Sequence, residues 1–262
     1  FEKFHLNDLK DGNVLGGIWV VYGDKDFDLH KAYDIAINEF KPYEKEFDVI
    51  YGLEGLRNVK DVEDLDKFYN IGIRHASLTW NEENHFATGV AGDKDKGLKE
   101  EGKKAIQYMN EKDMIVDVSH LNVKSFYEVL EQNPKNLIAS HSNAYAISNH
   151  RRNLNDDQLK KLAELKAYVG LNSARNFVSY DKEKQNLNGL IDQMIYIADK
   201  IGIEHVMLGL DMMHFLDDFG DSPNLDDLTC HKDVSNLEGL MLKRGFSKKE
   251  IDSLSLYTAK YC

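Results

Sequence analysis

Apolar runs of strand length alternate along this chain with stretches whose apolar residues recur at helical spacing. That alternation limits the fold more than any other feature. The strand-like runs are 14–23, 47–55, 73–80, 114–120, 136–142, 167–174 and 205–212. Helical patterns fall between them, the first running to Pro42, the second closed by Gly72, a later one opening on Asn155 as its cap. Two more close the chain, joined by the capping-box sequence "SKKE". Only a short polar segment, "FEKFHLNDLKDGN", precedes the first strand. No Pro/Gly/Ser linker interrupts the order, so the pattern predicts one α/β domain over residues 1–262 with a parallel sheet.

A doubly wound sheet usually carries a glycine-rich phosphate loop after its first strand, and "GDKDFD" is not one. A TIM barrel, (β/α)8, instead sets polar residues at the C-terminal ends of its strands. Here those ends carry Glu54, Trp80, His120, His141, Asn172 and Asp211. Seven strands are readable where a closed barrel has eight. The expectation is therefore a barrel of the metal-dependent hydrolase type that lacks its first strand in this chain.

Two strands, "MIVDVSH" and "NLIASHS", end in Ser-His, where packing has no need of an imidazole. A lone histidine there is usually a satisfied polar residue. His120 and His141 at matched places, with Glu54 and Asp211 at equivalent ones, favour a metal site instead, since imidazole nitrogen and carboxylate oxygen suit zinc. Such a metal acidifies bound water, and a carboxylate not fully used as a ligand can take the proton. Ser119 and Ser140 should face the opposite side of their strands. Of Arg151 and Arg152, one is expected at the surface and Arg152 at a substrate carboxylate. Glu82, Glu83 and His85 read mainly as loop residues, and His75 as structural. His214 is a minor candidate for the barrel mouth, and His5, His30, His150, His205 and His231 show no partner pattern. No GxSxG elbow supports serine hydrolysis.

A net charge of −12 argues against nucleic acid or an anionic membrane as partner. No apolar run reaches the ~18 residues of a membrane span. Two cysteines, Cys230 and Cys262, fit a reducing compartment, so a cytoplasmic location is expected.

With these residues in place, the chain resembles the renal (membrane) dipeptidase family of zinc metallopeptidases, in its bacterial form. The segments that carry the resemblance are "YGLEG", "GIRHASLTWNEEN", "VDVSH", "ASHSNAYAISNHRRNLNDDQL", "HVMLGLDM" and the closing helices. It implies a barrel with a two-zinc site that hydrolyses dipeptides by metal-activated hydroxide, often as a homodimer. Glu54 would bridge the metals, His120 and His141 would bind the second, and Asp211 would bind the first and shuttle a proton. Arg152 would hold the substrate's terminal carboxylate. Two departures stand out. The family's first-strand His-x-Asp pair is missing, and His5 and Asp8 are wrongly spaced to replace it. It is expected on a strand before Phe1. Trp80 stands where animal enzymes have a substrate-contacting histidine, which implies a different pocket. The alternatives are a non-catalytic or impaired barrel that binds a peptide or small carboxylate, or a metal-dependent hydrolase of another amide or a lactone.

Overall fold

A computed structural model describes residues 6–23, 27–212 and 223–259. His5, His214 and Cys262 lie outside the described residues. The chain forms two compact units, one of residues 17–138, the other of residues 139–261 with the first 16.

The 17–138 unit holds β1 (Gly16–Val20), α2 (Leu29–Phe40), β2 (Asp48–Glu54), α3 (Val62–Asn70), β3 (Ile73–Ser77), α4 (Glu100–Glu111), β4 (Ile115–Asp117), α5 (Val123–Leu130) and β5 (Asn136–Ala139). β2, β3, β4 and β5 are parallel, with a register shift between Tyr51 and Gly52, and Leu53, Ala76 and Val116 form one fully buried row. Continuous apolar runs suit such strands because both faces are covered. The helices bury residues at helical spacing: Leu65 and Phe68 on α3, Ala105, Ile106 and Met109 on α4, Phe126 and Val129 on α5. Asp61 and Asn122 cap α3 and α5 by accepting from Asp64 N–H and Ser125 N–H. Phe68 is fully buried, with the His30 ring stacked 3.7 Å from it and Tyr33 edge-on at 6.2 Å. Phe68→Ala is therefore expected to cost about 3–5 kcal/mol of unfolding free energy, measurable by denaturant titration.

In the other unit α1 (Leu6–Asp11) buries Leu6 and Leu9 and packs on the 3-10 turn His231–Val234. Within the polar segment before β1, two leucines at i, i+3 thus seat a short helix. The rest is α6 (Asp156–Glu164), β6 (Tyr168–Leu171), α7 (Arg175–Val178), α8 (Leu187–Ile201), β7 (Val206–Leu208), α9 (Ser235–Lys243) and α10 (Lys248–Ala259). β6 and β7 are parallel, and α8 packs on α6, α9 and both strands. Asn155 and Gln158 form a reciprocal capping box on α6. Ser247 and Glu250 form the expected one at α10.

Candidate metal centre and its surroundings

In the 17–138 unit three strands end in one row: Glu54 pairs with Ser77, and Ser77 with Asp117. The chain turns after each. Gly55 has φ +87°, and its N–H donates to Ser77 Oγ at 2.8 Å. A Cβ at that position would lie 2.7 Å from the Trp80 nitrogen, so only glycine allows the turn that follows Glu54.

His120 is not on a strand, as the sequence pattern had suggested. β4 stops at Asp117, whose Oδ1 accepts from Ser119 N–H at 2.9 Å and closes a turn. His120 follows with φ +71°, a left-handed conformation that non-glycine residues adopt at a cost. Its Nδ1 lies 3.0 Å from Asn81 Oδ1, and its Nε2 lies 3.1 Å from Glu54 Oε1. With the amide oxygen toward it, Nδ1 carries a proton, and Nε2 meets the carboxylate through either a second proton or a bound cation. A proton or a metal ion between Nε2 and the carboxylate satisfies both groups on this 5% exposed histidine. A histidine whose other nitrogen donates to an oxygen is the usual arrangement of a metal ligand.

Trp80 also lies beyond its strand, since β3 ends at Ser77. Its ring is 6.0 Å from the His120 ring and 5.2 Å from Tyr22. The Arg57 guanidinium sits over Tyr22 at 4.4 Å and Trp80 at 5.9 Å, and 3.9 Å from Glu82. Glu82 thereby belongs to the aromatic cluster beside His120. Glu83 pairs with Lys96 and Lys99, and His85 Nε2 lies against the Lys60 carbonyl, so both hold the loop together.

In the other unit His141 follows the end of β5 and is 8% exposed. Its Nδ1 lies 2.6 Å from Ser140 Oγ, so Ser140 orients the ring instead of facing away from it. Asp211 also has left-handed backbone, φ +53°. Asn172, fully buried after β6, donates its amide N–H to Asp211 Oδ2 at 3.1 Å, while Asn143 brackets Asn172 through two hydrogen bonds. Arg152 is 5% exposed and Arg151 is exposed, so the surface arginine is Arg151. Arg152 N–H donates to His150 Nδ1 at 3.2 Å, and both side chains lie against the Phe177 ring.

His150, unassigned from sequence, is thus an accepting bracket for Arg152. Burial, then the charges of Arg152 and Arg151, push its pKa down from 6.5. The unfolded chain then binds the proton more readily than the folded one. This contribution to stability is full above pH 6.5 and is lost as pH falls below it. Melting temperature should drop as pH falls below this value, and His150→Gln should flatten that profile. Asn81, Ser140 and His150 carried no legible signal, because each acts through a partner that the sequence pattern does not indicate.

The chain is similar over residues 6–256 to the family described as membrane dipeptidase, peptidase family M19. An uncharacterised dipeptidase of Schizosaccharomyces pombe is 30% identical over 79% of this chain and 54% of its own length. The dipeptidase tcpJ of Claviceps purpurea is 26% identical over 92% of this chain and 56% of its own. The chain thus spans about half the length of these two curated relatives. Among solved structures, the metallopeptidase dipeptidase AC of family M19 matches with TM-score 0.79 at 24% identity, covering 96% of this chain and 86% of that one. A Rhodobacter sphaeroides metallopeptidase, solved with a phosphinate mimic of L-Ala-D-Ala, matches with TM-score 0.81 at 22% identity, covering 97% and 88%. These likenesses bear out the α/β barrel fold class. The family match takes in nearly every residue from the first helix to the last, and the chain belongs to the membrane dipeptidase family, peptidase family M19.

Proposed function

We propose that this chain is a zinc-dependent dipeptidase. The observation that carries the reading is His120 Nε2 facing the Glu54 carboxylate at 3.1 Å while Nδ1 faces Asn81 Oδ1, the orientation of a metal-ligating histidine. Glu54 and His120 offer a carboxylate and an imidazole, donors that suit zinc, and the family resemblance implies His141 and Asp211 as further ligands. Zinc, when bound, acidifies water and polarises a carbonyl. The protein's residues do the rest. Asp211, oriented by the Asn172 amide that donates to its Oδ2, is the carboxylate that takes the proton of the attacking water and returns it to the leaving amine. Glu54 holds negative charge beside His120. Arg152 pairs with the terminal carboxylate of the dipeptide through its planar guanidinium. Trp80, packed on Tyr22, lies beside His120, where it would shape the substrate pocket.

Metal analysis of the full-length protein and a dipeptide panel with and without chelator test the reading. About stoichiometric zinc, and hydrolysis lost to chelator and restored by zinc, are expected. A metal-free protein, or hydrolysis indifferent to chelator, overturns it.

A further inference from the structure

β3 contributes none of the four proposed ligands, yet its His75 forms a deeply buried ionisable pair with Asp117 of β4. His75 Nε2 lies 3.1 Å from Asp117 Oδ2, with side chains 3% and 1% exposed. Both face the same side of the sheet as Glu54, because the register sets Gly52 beside His75 and Glu54, Ser77 and Asp117 in one row. Gly52 makes room for the imidazole: a Cβ there would lie 2.3 Å from His75 Nδ1. Burying such a pair is costly, and a well-packed apolar pair would usually serve stability as well or better. A purely structural role gives no reason for it.

Its connections give one. Asp117 uses its two oxygens differently: Oδ2 meets His75, while Oδ1 accepts from Ser119 N–H at 2.9 Å. That second bond fixes the turn from which His120 emerges in its left-handed conformation. A neighbouring residue does the same for Glu54, since Ser77 Oγ accepts the Gly55 N–H of the turn after it. β3 therefore reaches the backbone beside both Glu54 and His120.

We propose that His75 and Asp117 are positioning residues for the metal ligand His120, with His75 locking the Asp117 carboxylate so that its other oxygen holds the Ser119 turn. The proposal rests on the metal reading above. It concerns residues that touch neither metal nor substrate, and it assigns a function to a histidine whose sequence context suggested only structure.

The test is zinc affinity, measured by competition with a chromogenic chelator, together with the visible spectrum of the cobalt-substituted protein. Asp117→Asn keeps an oxygen for Ser119 but loses the charge that engages His75. It is expected to bind zinc about 10–100-fold more weakly and to show an altered cobalt spectrum. Tyr108→Phe, which removes a 2.8 Å bond to Asp66 elsewhere in the same unit, is the control: it is expected to lower melting temperature without changing affinity. An Asp117→Asn protein with wild-type affinity and spectrum overturns the proposal while leaving the metal reading intact. A wild-type protein that binds no zinc overturns both. Should Asp117→Asn fail to fold, the wild type decides. In 15N-histidine-labelled protein the His75 ring resonances are expected to shift when zinc is added, and unmoved resonances overturn the proposal.

Discussion

Glu54→Gln is expected to lower kcat/KM for dipeptide hydrolysis by about 10²–10⁴-fold. Removing one charge from a buried ionic group costs about 3–5 kcal/mol, and each 1.36 kcal/mol is about tenfold in rate. Here the charge lost is the carboxylate 3.1 Å from His120 Nε2. The substitution separates two roles of that carboxylate. A glutamine amide can still hydrogen-bond His120 Nε2 without carrying the charge. The metal-free variant should therefore melt no lower than the metal-free wild type, although its activity collapses. Steady-state kinetics and calorimetry on metal-free and zinc-loaded protein check both halves. Activity within about tenfold of wild type would remove Glu54 from the site.

The second large effect is expected at Arg152. Arg152→Met keeps an apolar stem against Phe177 but loses the guanidinium. Hydrogen bonds to a charged partner are worth about 1.5–3 kcal/mol, so kcat/KM should fall about 10–150-fold, mainly through KM. Amidated dipeptides, which lack the carboxylate, should lose little on the same substitution. An equal loss for both substrates would mean that Arg152 acts on packing and not on the substrate's end. His150 accepts the Arg152 backbone N–H, so the arginine is already held in place before substrate arrives.

The strand-helix alternation was legible because buried parallel strands are continuous apolar runs and the helices bury residues at helical spacing. Strand ends were less legible. "MIVDVSH" reads as one strand to His120, but β4 ends at Asp117 because a side-chain oxygen captures the Ser119 N–H. Nothing in an alternating pattern distinguishes that aspartate from one that points outward. Trp80 was likewise assigned to a strand that stops at Ser77. The proposed ligands could be picked out because imidazoles and carboxylates are unusual at such places. Their supports could not: Asn81 and Glu54 each meet His120 across a long stretch of chain, and His75 finds Asp117 the same way. Residue type suggests a ligand, whereas its orientation depends on contacts that only folding creates.

The left-handed backbone at His120 and Asp211 has an evolutionary consequence. Glycine or asparagine would hold either turn with less strain. Mutational drift in a lineage released from selection on the reaction should replace both residues soon. Persistence of histidine and aspartate at these two bends is thus a marker of retained chemistry, readable in any descendant from two codons.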